Sequence, residues 1–102
     1  MNRIVKASLP VLLAGALAAP AFAESPAAAL VESLCASCHG IDGNSATDEY
    51  PNIGGQKRAY LVKQLQDFRS KRRENEIMNP LAEPLTDEVI RALADHYSAQ
   101  SK

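Results

Sequence analysis

Cys35-Ala36-Ser37-Cys38-His39-Gly40 is the stretch on which the reading of this 102-residue chain turns. Two thiols three positions apart, with a histidine directly after the second, form the pattern by which a c-type haem is attached. On a helical turn, positions i and i+3 share a face, so both sulfurs can reach the two vinyl groups on one edge of a porphyrin. His39 then stands where its imidazole can turn under the ring and offer a nitrogen to the iron. Three other readings compete at this point: a structural disulfide, a thioredoxin-like redox pair and a zinc half-site.

Upstream of the motif the chain begins with a targeting segment. Arg3 and Lys6 make a positive start, Leu9 to Ala19 is an apolar run, and Ala21-Phe22-Ala23 fits the small-x-small cleavage pattern. Residues 1–23 are therefore expected to be a cleaved secretory signal peptide, with Glu24 the first mature residue and residues 24–102 a single domain. The competing reading is a membrane anchor. The apolar run falls short of the ~20 residues that a spanning helix needs, and Pro10, Gly15 and Pro20 interrupt it. The sequence thus predicts export in the bacterial manner to the periplasm, with no stable membrane anchor.

A domain of this length buries little apolar surface and generally needs a disulfide, a metal or another staple. Its aromatic residues are Tyr50, Tyr60, Phe68 and Tyr97, with no tryptophan. A haem held by two thioether bonds would supply a large apolar plate to pack around. Without Arg3 and Lys6, nine basic residues face twelve acidic ones, a net charge of −3. Mild overall acidity does not suit a nucleic-acid binder. Seven of the nine basic residues fall between Lys57 and Arg73, with Asp67 the only acid among them. Such a run is ordinarily a solvated helix face, and alternatively a docking patch for an acidic partner.

Downstream, the periodicity and punctuation predict three main helices. Ser25-Pro26 is a helix start, and Ala27, Leu30, Val31 and Leu34 mark the apolar side of a first helix that runs into the cysteine motif and ends at Gly40. Asp42-Gly43-Asn44-Ser45 and Pro51-Asn52-Ile53-Gly54-Gly55 are turn sequences in an irregular segment. Leu61, Leu65 and Phe68 form the buried stripe of a second helix, Lys57 to about Lys71. Residues 72–84 read as a loop, with Asn79-Pro80 and Pro84 interrupting any helix. It holds Met78, the only methionine beyond the leader. Thr86 is a good N-cap, Asp87 and Glu88 suit the first turn, and Leu85 with Ile90 fits a hydrophobic staple. Val89, Ile90, Leu93, Ala94 and Tyr97 then share one face. The mature chain shows no strand pattern, so the fold class is all-α.

A Cys35–Cys38 disulfide is the natural alternative for an exported chain, but it would close a tiny loop and staple nothing to the rest. A thioredoxin-like pair belongs beside a βαβ pattern, which is missing here. Zinc wants four ligands, and the one further histidine, His96, lies within the last helix, where a surface position is expected. Haem uses both cysteines, the adjacent histidine, the later methionine and the thin core together.

The mature chain resembles the class I c-type cytochromes, small soluble periplasmic mono-haem proteins, and is similar to single domains of di-haem bacterial cytochromes. The resemblance rests on Cys35 to Gly40, Asp42-Gly43-Asn44-Ser45, Tyr50 to Gln56, Tyr60 to Phe68, Ile77-Met78-Asn79-Pro80, and Leu85-Thr86-Asp87 opening a helix that reaches Tyr97. It implies a cytochrome c fold, with three main helices and loops wrapped around one covalently bound haem c. It further implies thioether bonds at Cys35 and Cys38, His39 and Met78 as the two axial iron ligands, and the Pro51 carbonyl as acceptor for the other ring nitrogen of His39. The family often carries an aromatic residue four positions before the first cysteine. Val31 stands there, so the crossing of first and last helices should rest on Ala27 and Val31 against Leu93 and Tyr97.

The function so implied is that of a periplasmic one-electron carrier, an electron-transfer protein and not an enzyme. Redox donor and acceptor proteins would dock transiently at the haem edge. An alternative is the electron-accepting cytochrome subunit of a larger oxidoreductase, such as a flavocytochrome c sulfide dehydrogenase with its flavoprotein subunit. A third reading leaves Met78 off the iron and one position open for a gas or a peroxide.

Overall fold

The computed structural model describes residues 25–102, and the expected signal peptide and its boundary at Glu24 lie outside the described residues. Helix α1 is a continuous helical run over 28–39. Its start is set by Ser25, whose Oγ accepts from the Ala27 N–H at 3.1 Å and whose carbonyl accepts from the Ala28 N–H at 3.0 Å. Its middle, Val31–Cys35, is a π-helical turn, which the sequence pattern does not signal. Here the Ser33 hydroxyl donates to the Ala29 carbonyl at 2.7 Å. Side-chain competition of that kind loosens a helical ladder, and wide turns of this sort recur beside functional sites. The run closes with Ala36–His39, and Gly40 at φ 83° turns the chain away.

Helix α2, Arg58–Ser70, ends at Lys71, which adopts the left-handed conformation at φ 65°. Helix α4, Asp87–Ser98, is capped as expected, with Thr86 Oγ1 accepting from the Val89 N–H at 3.1 Å. Between them the expected loop over 72–84 contains a short helix, α3, Met78–Ala82. Pro80 sits in its third position. The first N–H groups of any helix lack an intrahelical partner, so proline costs nothing there. Asn79-Pro80 excludes a long helix but permits a helix of one turn.

The two ends of the domain meet in one cluster. Ala27 and Val31 of the first segment pack with Leu61 of α2 and with Leu93, Ala94 and Tyr97 of α4. The residues expected where first and last helices meet, Ala27, Val31, Leu93 and Tyr97, thus fall in one buried cluster. The buried apolar residues number nine among the described residues, and Ala27, Ala82 and Ala94 are three of them. Few large side chains are fully enclosed, as the scarcity of aromatics foreshadows.

Asp67 is the buried charged residue of the described fold. Lys63 Nζ donates to its Oδ2 at 2.5 Å, and Arg72 Nε lies 3.4 Å from its Oδ1. The hydrogen bond from Lys63 is the main cause that holds its carboxyl below the usual range, against the opposing effect of burial. A depressed folded-state pKa stabilises the fold above the unfolded value of about 4, and that contribution is lost as pH falls through the folded value. Asp67→Asn should therefore lower the melting temperature at neutral pH, and the gap from the parent protein should close in acid below about pH 4. Melting curves followed by circular dichroism across pH check this. A gap independent of pH would assign the loss to packing instead of charge.

Candidate functional site

The centre of the domain is a cleft with a cavity of about 330 Å³, and every segment contributes to its wall. From α1 come Leu34, Cys35, Cys38 and His39; from the following loop Tyr50, Pro51 and Ile53; from α2 Leu61, Leu65 and Phe68. Met78, Leu81 and Leu85 close it from the segment around α3, and α4 adds Leu93 and Tyr97. All five residues singled out in the sequence thus meet in one place, although Cys35 and Met78 are far apart along the chain.

Cys35 and Cys38 are half-buried and unbridged. Burial, and then the neighbouring Cys38, push the Cys35 thiol above its ordinary value, which keeps it protonated at neutral pH. His39 Nδ1 lies 2.9 Å from the Pro51 carbonyl oxygen. A carbonyl only accepts, so Nδ1 is the donor, and in the neutral ring it is Nε2 that offers a lone pair to a metal. A histidine held in one tautomer by its outer nitrogen is the usual arrangement of a metal ligand. Among the described residues, no three His, Cys, Asp or Glu side chains converge on a common point. The zinc reading therefore gains no further ligand.

The approach of Pro51 to His39 depends on two loop strands lying against each other. The Gly43 carbonyl accepts from the N–H groups of Ile53 at 2.7 Å and Gly54 at 2.9 Å. Gly43 has φ 79°, and a Cβ there would strike the Gly54 backbone. Glycine is required for both reasons.

The last helix ties down the chain just beyond His39. Tyr97 is buried, its hydroxyl donates to the Gly40 carbonyl at 3.1 Å, and burial pushes its pKa up so that it stays a donor. His96, expected at the helix surface, is half-buried instead. Its Nε2 donates to the Ile41 carbonyl at 2.6 Å, and its ring meets Tyr97 edge-on with centroids 4.8 Å apart. No sequence signal marks this contact, because the partner is a backbone atom in an irregular loop.

The basic run Lys57–Arg73 is largely answered by acids. Arg58 pairs with Asp95, Lys63 and Arg72 with Asp67, and Arg69 with Asp87 at 2.6 Å. Arg69 also donates to the Leu85 carbonyl at 2.9 Å and keeps the Asp87 carboxyl below its usual range. Arg73 donates to Gln64 at 2.5 Å and lies over the Phe68 ring, 4.6 Å from its centroid. The stretch reads as a paired helix face more than as an open cationic patch. Exposed apolar side chains stand at the cleft itself, where Tyr60 is 48% and Ile77 46% accessible.

The family model for cytochrome c matches residues 25–97 of the chain, most of its length and every segment of the cleft. The chain belongs to the cytochrome c family. Among curated relatives, a cytochrome c4 of Thiocapsa roseopersicina is 46% identical over 74 residues, covering 72% of this chain and 38% of that protein. A cytochrome c-554(548) of Halomonas halodenitrificans is 38% identical over 69 residues, covering 65% of this chain and 83% of that protein. A thiosulfate dehydrogenase electron acceptor of Stutzerimonas stutzeri is 46% identical over 61 residues, covering 59% of this chain and 28% of that protein. Among solved structures, reduced cytochrome c4 from Pseudomonas stutzeri matches with a TM-score of 0.66 and 31% identity, over 76% of this chain and 47% of that one. The chain thus spans less than half the length of the cytochrome c4 proteins it matches.

The expected class I c-type cytochrome, with its all-α cytochrome c fold, is accordingly the correct family and fold. Cys35-Ala36-Ser37-Cys38-His39 is the motif by which members of this family covalently bind a c-type haem. The residues present fit that group. Two free thiols, a histidine engaged at Nδ1 and a thioether line one apolar cleft at the centre of a sparse core.

Gly43→Ala should therefore destabilise the holoprotein by more than about 1 kcal/mol, since it adds a side chain at positive φ. Because the same contact carries Pro51 to His39, the reduction potential should shift as well. Denaturant titration and voltammetry on one sample check both, and an unmoved potential would uncouple this loop from the site.

Proposed function

We propose that the chain is a one-electron carrier whose single haem is bound through Cys35 and Cys38 and ligated by His39 and Met78. The observation that carries this reading is the cleft itself, in which His39, oriented by the Pro51 carbonyl at 2.9 Å, and Met78 line the same apolar space. When bound, the haem supplies an iron that alternates between Fe(III) and Fe(II). The chain's own groups do the rest. His39 offers Nε2 because Nδ1 is occupied, and Pro51 sets the ring's orientation and basicity. Met78 offers a soft thioether, which favours Fe(II) and raises the potential relative to two nitrogen ligands. Leu61, Leu65, Phe68 and Leu85 exclude water. With His39 and Met78 both holding the iron no place would be left for a substrate, which suits electron transfer and not catalysis.

The positive leader, apolar run and Ala21-Phe22-Ala23 support export to the periplasm. Among the described residues, no helix is long and apolar enough to cross a membrane. Donor and acceptor proteins would meet the cleft edge at Tyr60 and Ile77, an apolar rim suited to brief, small contacts. A second reading, service as the dedicated electron acceptor of a dehydrogenase, is favoured by the thiosulfate dehydrogenase electron acceptor among the relatives. The partner would then be an enzyme acting on thiosulfate, where the sequence reading offered a flavoprotein as one example. Both readings use the same site and differ in how long the partner stays.

Met78→Ala tests the ligand set. The weak red charge-transfer band of sulfur-ligated ferric haem should vanish. The potential should fall by on the order of 100 mV, within the roughly 0.8 V over which axial ligands set haem potentials. An unchanged spectrum and potential would remove Met78 from the iron.

A further inference from the structure

We propose that Asn79 is the positioning residue for Met78, tying the helix that begins at Met78 to the C-terminal end of α2. The inference rests on the reading of Met78 as the distal ligand. Asn79 Nδ2 donates to two carbonyls, Phe68 at 2.7 Å and Arg73 at 2.8 Å. Its Oδ1 accepts from the Asn75 N–H at 2.6 Å. One side-chain amide therefore joins α2, the loop after it and the loop before α3. The Phe68 carbonyl belongs to the last turn of α2 and accepts also from the Lys71 N–H at 3.2 Å, so Asn79 takes its second lone pair.

Asn75 completes the device from the other side. Its Oδ1 accepts from the N–H groups of Ile77 and Met78, both at 2.9 Å, and its carbonyl accepts from the Asn79 N–H at 3.0 Å. Asn75 and Asn79 thus bond each other reciprocally across the start of α3, in the manner of a capping box. Met78 lies between them, with its backbone N–H engaged and its side chain on the cleft. Pro80 follows directly and brings no N–H of its own. A helix of five residues cannot hold its own position. Beside the burial of Ala82, Asn79 supplies its side-chain hydrogen bond to α2.

If Asn79 holds Met78 in place, loosening it raises the fraction of molecules in which the thioether is away from the iron. An external ligand that binds only this open form then gains apparent affinity in proportion to that fraction. Asn79→Asp is the sharpest variant. It keeps the shape and the acceptor for Asn75, but sets a carboxylate oxygen against two carbonyls. Asn79→Ala removes all three bonds.

The experiment measures imidazole binding to the ferric holoprotein, together with the red charge-transfer band and the melting temperature, well below unfolding. Both Asn79 variants should bind imidazole on the order of tenfold more tightly, or more, as expected for losing two or three hydrogen bonds. They should also show a weakened band. Thr86→Ala, which loses a helix cap elsewhere in the fold, serves as a destabilised control and should leave imidazole affinity unchanged. Asn79 variants that melt earlier yet bind imidazole like the parent would overturn the proposal, as would a Thr86→Ala protein that gains affinity equally. Met78→Ala separates the two levels. If it too leaves imidazole affinity unchanged, the ligand assignment itself falls; if it alone raises the affinity, only the role of Asn79 falls.

Discussion

The structure depends on a shortage. Among the described residues nine apolar side chains are buried, three of them alanine, and six of the nine line a cleft where the centre of a domain would ordinarily be filled by leucine, isoleucine and phenylalanine. A polypeptide of this size gains little from burial to begin with. Side chains that in another small protein would touch one another, among them Leu34, Leu65 and Leu85, instead face a common space. A covalently attached haem would let them bury apolar surface, so that cofactor and core would be one thing in this fold.

Around that space the chain holds its two proposed ligands by unlike means. His39 ends a helix, and its direction is set by the Pro51 carbonyl, itself delivered by the close contact of Gly43 with Gly54. The backbone just past it is pinned by Tyr97 and His96 of the last helix. Met78 begins a helix too short to orient itself, and side-chain amides on either side take over that task. The proximal side therefore draws on the hydrophobic cluster through Tyr97. The distal side adds polar contacts around Met78 to the burial of Ala82, and such contacts open at lower free energy than a packed core.

Much of this was legible in the sequence, for identifiable reasons. Two cysteines and a histidine at fixed spacing have few structural uses, and Thr86 with Asp87 and Glu88 signals a helix start by local chemistry alone. The stripe of Leu61, Leu65 and Phe68 needed only helical periodicity. What escaped were features whose partners are backbone atoms far along the chain. His96 looked like a surface residue because its acceptor is the Ile41 carbonyl. Asn79 looked like a turn residue because two of its three partners are carbonyls in α2 and the loop after it. The π-helical turn over Val31–Cys35 and the one-turn helix at Met78 were missed because neither is long enough to leave a periodic trace. The charge run misled in a different way. Seven cations in sequence suggested a field, but Asp67, Asp87 and Asp95 answer four of them in space.

The claim that the haem is the core is tested most directly on the chain that cannot attach it. A Cys35→Ala, Cys38→Ala double variant, prepared without haem, should lose cooperative thermal unfolding and near-ultraviolet ellipticity, keeping at most fluctuating helix. A cooperative transition with the parent's near-ultraviolet spectrum would contradict the account, since it would mean that the polypeptide alone closes the cleft.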